Sequence, residues 1–133
     1  MTAPKPTVLI VDDEAALRRV LERALAGRGY RVLTAASAET AYDMLSSEQA
    51  DALLIDVSMP TMSGLSLYLT IVHRWPALEG RIAIITGDPE AEDVSAFQEH
   101  HRCTLIRKPF DLQEVLDWLA AALRFRSREA GNG

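Results

Sequence analysis

The sequence predicts an α/β domain, a doubly wound parallel sheet of five strands with five helices, and three observations predict it. Short apolar runs alternate with longer stretches of helical period along the whole chain, the pattern of parallel strands joined by crossover helices. The runs in "TVLIVDDE" and "LLIDVSMPTMSG" consist of residues fit for the middle of a sheet, and both stop at acids. The 133 residues suit one compact domain with a single core, and no internal repeat or low-complexity tract interrupts them.

The first strand covers residues 8–11 and is closed by Asp12 and Asp13. Leu17, Val20, Leu21, Ala24 and Leu25 then fall on one face of a helix that Gly27 and Gly29 stop. The second strand is "YRVLTAA", residues 30–36. Ser37 caps a second helix with Ala41, Tyr42, Met44 and Leu45 on its inner side. The third strand, "DALLID", ends at Asp56. Beyond the "MPTMSG" loop, Gly64 opens a helix in which Leu65, Leu69 and Val72 keep a helical spacing. It ends near Arg74, because Pro76 turns Trp75 away from helix. The fourth strand, "RIAIITG", reaches Thr86, and Asp88-Pro89 reads as the cap and first turn of a fourth helix with Val94 and Phe97 inward. The last strand is "CTLIRK". After Lys108 and Pro109, Asp111 and Glu114 form a capping box for a helix carrying Leu112, Val115, Leu116, Leu119 and Leu123.

Composition narrows the function classes. At 48% hydrophobic and 25% charged, the chain has the make-up of a folded globular domain. A net charge of -5 argues against direct nucleic-acid binding, which needs clustered Lys and Arg. The single cysteine, Cys103, excludes an internal disulfide framework and reads as a small buried hydrophobe. "MTAPKPT" lacks the apolar core of a signal peptide and no run approaches a membrane span, so no membrane partner and a cytoplasmic location are expected. Residues 1–5 are expected to form a disordered arm, 6–125 the domain, and 126–133 a polar tail or the start of a linker. The arginines of "RFRSRE" are placed to complement the carbonyl end of the last helix. His73, His100 and His101 lack a metal-binding spacing and read as surface residues, and Phe110 reads as core.

In an open doubly wound sheet, ligands bind at the carboxyl ends of the strands, where the strand order reverses. Asp12 and Asp13 end the first strand, Asp56 the third, Thr86 the fourth and Lys108 the fifth, while the second ends in "TAA" and belongs at an edge. The flavodoxin-like order 2-1-3-4-5 makes strands one and three neighbours, so the three carboxylates converge. Such acids repel unless a cation joins them. An all-oxygen set favours a hard ion, Mg²⁺ first, with Mn²⁺ as the alternative. Lys108 is suited to neutralise phosphoryl oxygens, Thr86 to hydrogen-bond one, and a carboxylate to act as the nucleophile that makes an acyl phosphate. Taken singly, Asp56 reads as a turn-initiating acid, Thr86 as an ordinary strand residue and Lys108 as a solvated charge. Their conjunction favours the site.

With Asp12-Asp13, Asp56 followed by Met59, Pro60 and Gly64, Thr86-Gly87 and Lys108-Pro109-Phe110 in this order and spacing, the chain resembles the response-regulator receiver domains of two-component signalling across residues 6–125. The resemblance implies a signalling domain that catalyses only its own phosphorylation and dephosphorylation. Asp56 is then the phosphoacceptor. Asp13 and Asp56 bind Mg²⁺ with the backbone carbonyl of Ser58, and Asp12 contributes through water. Thr86 and Lys108 hold the phosphoryl oxygens, and the Lys108-Pro109 bond is cis. Ser58 and Asp88 tune phosphoryl lifetime. Leu105 occupies a position where the family often carries Tyr or Phe, so switching is expected to rest on Thr86 and the 87–90 loop. The implied phosphodonor is a histidine kinase or a histidine phosphotransfer protein, the output a downstream protein, and the state a monomer or a phosphorylation-dependent homodimer.

Two rivals share parts of this pattern. Phosphatases with an aspartyl nucleophile usually need a second acid two residues later, where Ser58 stands. A flavin carrier needs a phosphate loop after the first strand, where "DDEAA" would repel phosphate.

Overall fold

The computed structural model describes residues 4–124. The apolar runs become β1 (Thr7–Val11), β2 (Arg31–Ala35), β3 (Ala52–Asp56), β4 (Ile82–Thr86) and β5 (Thr104–Arg107). They pair in parallel in the expected order β2-β1-β3-β4-β5. Every residue of β1, β3 and β4 is buried, whereas the edge strands β2 and β5 are partly exposed. Parallel strands of this kind read as continuous apolar runs because helices cover both faces.

Alternation along each strand sorts the core into two layers. Leu9, Leu53, Ile55, Ile82 and Ile84 face one layer, which is completed by α2 (Ala38–Ser47), α3 (Gly64–Arg74) and α4 (Glu92–His100). Val8, Ile10, Leu54 and Ile85 face the other, completed by α1 (Ala15–Ala26) and α5 (Leu112–Ala122). A slip of one residue in any central strand would exchange the layers, so the apolar pattern holds the register.

The caps follow local chemistry. Ser37 accepts from the Thr40 N–H at 3.1 Å, as expected, and Ser63 does the same for Ser66 at 3.2 Å. Helix α3 stops at Arg74, and the chain passes through a short 3-10 turn at Pro76–Leu78. Asp111 caps α5 by accepting from Gln113, one residue before the Glu114 of the expected box; the Glu114 N–H goes to the Asp111 carbonyl.

The helical faces need correction. Val20, expected inward, is 61% exposed, and Leu69 is 42% exposed. Successive helical residues are about 100° apart, so a stripe centred on Leu21 and Leu25 leaves Val20 beyond its edge. On α3 the buried face is Leu65, Tyr68 and Ile71 with Gly64 and Leu67, which carries Leu69 outward. Helix α4 begins at Glu92 rather than at Asp88-Pro89. The Ala91 N–H bonds to the Asp88 carbonyl at 3.2 Å, closing a turn whose second position suits Pro89.

His73 and His100 are exposed as expected, but His101 is half-buried. Its ring centroid lies 4.7 Å from that of Phe97 and 5.9 Å from that of Tyr68. Cys103 is half-buried with its thiol against the Ile82 carbonyl, and burial pushes its pKa up to about 12. Phe110 packs partly buried on the α1 and α5 layer. Residues 1–3 of the expected arm, the tail 126–133, and Arg126 and Arg128 lie outside the described residues.

The two neighbours on α1 separate these assignments experimentally. Leu21→Ala should lower the unfolding free energy by about 2–5 kcal/mol in urea denaturation, and Val20→Ala should change it by no more than about 0.5 kcal/mol. Equal losses would place Val20 in the core after all.

Candidate functional site

Strand pairing assembles the site. Asp56 is the last residue of β3, and Asp12 directly follows β1, its backbone N–H bonded to the Ala35 carbonyl at 3.1 Å. Both are almost fully buried, at 4% and 2% exposure, while Asp13 is exposed beside them. One ligand oxygen from each of Asp12, Asp13 and Asp56 lies within 4.8 Å of the others.

Lys108 enters from the end of β5, across β4 from Asp56. Its backbone N–H donates to the Thr86 carbonyl at 2.8 Å, and the Lys108-Pro109 peptide is cis. Its Nζ stands 3.3 Å from Asp12 Oδ2 and 3.3 Å from Asp56 Oδ1. One ammonium against three carboxylates leaves negative charge in excess. Burial, reinforced by the charge on Asp12, raises the Asp56 carboxyl from 3.8 to about 6 against the opposing pull of Lys108. Burial works against the Lys108 ammonium, but Asp56 and Asp12 outweigh it and its pKa rises.

These residues fit a hard divalent cation. The donors are carboxylate oxygens without Cys or His, two of the acids are withdrawn from water, and burial together with the charge on Asp12 raises the Asp56 pKa, a penalty on the ionised form that a bound cation would relieve.

The other expected residues lie at the end of β4, on β5 and in the loops after β3 and β4. Thr86 is buried, and its Oγ1 accepts from the Asp88 N–H at 3.0 Å, which leaves the hydroxyl proton to donate. Ser58 and Asp88 are exposed, and Met59 packs partly buried on the α2–α4 layer. Leu105 pairs with Ile84 in the sheet and packs on the same layer.

The loop after Asp56 is held by backbone contacts. Val57 donates to the Ile85 carbonyl and accepts from the Gly64 N–H, both at 2.9 Å. A Cβ at Gly64 would come within 2.9 Å of Val57 Cα and nearer still to the Asp56 carbonyl, so no side chain fits. Thr61 has φ 67°, and the Met62 N–H bonds to the Pro60 carbonyl at 2.8 Å, a γ-turn. A β-branched residue in that region costs about 1–3 kcal/mol. The Thr61 hydroxyl lies 2.9 Å from Glu39 Oε1 and 2.6 Å from the Pro60 carbonyl.

Sequence reasoning missed Thr61 and its partner Glu39. It also missed Arg18, whose Nη1 donates to the Asp12 carbonyl at 2.7 Å, and the Glu14 N–H, which donates to Asp12 Oδ1 at 2.8 Å. Only the last had a signal, since Asp side chains commonly bond the main chain two residues on.

The response regulator receiver domain family matches residues 8–120. Over 116 residues the chain is 38% identical to the DNA-binding transcriptional regulator NtrC of Escherichia coli, with 87% of this chain and 24% of that protein aligned. The chain thus spans about a quarter of the length of that relative. A CheY-like receiver domain protein from Methanospirillum hungatei superposes with a TM-score of 0.84 at 25% identity, covering 94% of this chain and 98% of the other. The response regulator TrrA from Thermotoga maritima, solved in complex with Mg²⁺-BeF, gives 0.76 at 25% identity, covering 89% and 99%.

The raised Asp56 pKa has a pH signature in metal-free protein. The folded carboxyl holds its proton more tightly than the unfolded one, so protonation favours folding. That contribution is complete below the ordinary value of 3.8 and is lost as pH rises through about 6. Asp56→Asn should therefore gain stability relative to the parent between pH 4 and pH 7, by an upper bound of roughly 3 kcal/mol, and then level off. Thermal melts across that range in chelator provide the check; a constant difference would contradict the shift.

Proposed function

Because the chain belongs to the response regulator receiver domain family, we propose that Asp56 accepts a phosphoryl group from a phosphohistidine donor and that the acyl phosphate switches partner binding. The observation that carries this reading is a buried carboxylate at a strand end with Lys108 and two further acids around it. The donor is a histidine kinase or a histidine phosphotransfer protein, and the output is a downstream protein. NtrC is a DNA-binding transcriptional regulator as a whole protein, whereas the net charge of -5 on this chain argues against direct nucleic-acid contact by it. Residues 6–125 form the receiver unit. It acts as a monomer or as a phosphorylation-dependent homodimer.

The transfer needs Asp56 ionised. One of its oxygens attacks phosphorus as the bond to the donor imidazole nitrogen breaks, leaving an aspartyl phosphate. Lys108 begins paired with Asp56 Oδ1 and turns to a phosphoryl oxygen as negative charge moves outward. Thr86 donates its free hydroxyl proton to a second one. Asp13, Asp56 and the Ser58 carbonyl would hold Mg²⁺ or Mn²⁺, with Asp12 contributing through water, and the ion would neutralise the crowded oxygens of nucleophile and phosphoryl group. Ser58 and Asp88, both exposed, would govern water access and hence phosphoryl lifetime. The domain's only chemistry would be its own phosphorylation and dephosphorylation. Leu105 stays packed, and Thr86 with the 87–90 loop carries the change.

Incubation with acetyl phosphate and Mg²⁺ should add one phosphoryl mass to the intact protein. The adduct should vanish in Asp56→Asn and without metal; its persistence at the parent level in Asp56→Asn would sink the assignment.

A companion measurement uses beryllofluoride as the phosphoryl mimic. With Mg²⁺ it should shift amide resonances chiefly in β4 and the 87–90 loop and move those around Leu105 less. Lys108→Ala should keep Mg²⁺ binding and lose most of this response. Loss of metal binding with the response intact would reverse the roles, and equal shifts at Leu105 and α5 would make the leucine the switch.

A further inference from the structure

We infer that Arg18 on α1 is a positioning residue for the acid pair, fixing the peptide plane between Asp12 and Asp13 so that both carboxylates face Asp56. The inference rests on the receiver reading of the site and deepens it. Asp12 is held at four points. Its N–H bonds to Ala35, its Oδ1 accepts from Glu14, its Oδ2 faces Lys108, and its carbonyl accepts from Arg18 at 2.7 Å. The first three set the start of the residue and its side chain. Among the described residues, the Arg18 bond is the one that acts on the Asp12 carbonyl, which shares a rigid plane with the Asp13 nitrogen. That plane decides where Asp13 leaves the strand end, and Asp13 is exposed, without the burial that packs Asp12 and Asp56 in place.

Arg18 differs from Lys108 in what a bound cation would do to it. Lys108 bonds the carboxylate oxygens themselves and competes with a cation for them. Arg18 bonds a main-chain oxygen, so a cation on the carboxylates leaves its hydrogen bond in place. A planar guanidinium is suited to such a fixed contact.

The sign of one measurement separates positioning from charge. If Arg18 acted only as a positive charge near a cation site, removing it would tighten Mg²⁺ binding. If it positions the acids, removing it weakens binding, by about tenfold for an outer partner of a metal ligand. Mg²⁺ alone is the probe, followed by calorimetry and by the amide resonances of Asp12, Asp13 and Asp56. Arg18→Ala should bind Mg²⁺ about tenfold more weakly, with a displaced Asp13 amide resonance and little change in metal-free melting temperature. Arg18→Lys, which keeps a donor and the charge, should recover part of the affinity. Arg19→Ala, the same charge loss at an exposed neighbour, should bind as the parent or more tightly. Arg18→Ala binding Mg²⁺ as well as the parent, or Arg19→Ala weakening it equally, would overturn the inference while leaving the receiver reading intact. If Arg18→Ala fails to fold, Arg18→Lys decides: a displaced Asp13 amide resonance with weakened Mg²⁺ binding supports the inference, and parent values for both overturn it. A parent protein with no Mg²⁺-dependent shifts would overturn both.

Discussion

Two carboxylates buried at the ends of adjacent strands repel each other, and Lys108 reaches both. Each attraction at 3.3 Å amounts to about 5 kcal/mol at an effective dielectric near 20, before desolvation is subtracted. The rest of the architecture serves this contact. Parallel pairing brings the ends of β1 and β3 together, and the Thr86 carbonyl holds the Lys108 main chain. Burial, with the charge on Asp12 added to it, raises the Asp56 pKa to about 6 in spite of Lys108, so the centre is receptive to further positive charge.

Much of this was legible in the residues. The central strands are covered on both faces, so they appear as unbroken apolar runs, and their polar terminators must gather at one edge of a parallel sheet. Asp12, Asp13 and Asp56 could therefore be grouped before any coordinates. The rotational phase of the helices was less legible. A wide apolar stripe has soft edges, and Val20 and Leu69 fall just beyond them. Asp88-Pro89 misled because an acid followed by proline suits the start of a turn as well as the start of a helix.

What the residues did not disclose were contacts between a side chain and a distant main chain, or across elements without a periodic pattern. Arg18 on the Asp12 carbonyl and Glu39 on Thr61 are of this kind. The left-handed Thr61 is also invisible in sequence, since glycine or asparagine is the usual tenant of that conformation. Its hydroxyl bonds to Glu39 on α2, so the strained turn is tied to a helix of the packed layer, and the segment after Asp56 is braced at Thr61 as well as at Gly64.

The thiol of Cys103 has a practical consequence. Reagents and oxidants attack the thiolate, and burial, which pushes the Cys103 pKa up to about 12, keeps that form scarce near neutral pH. The native cysteine is thus a silent background. A fluorophore or spin label attached at an introduced surface cysteine would report chiefly from that position, with no need to remove the residue just before β5 and disturb its packing.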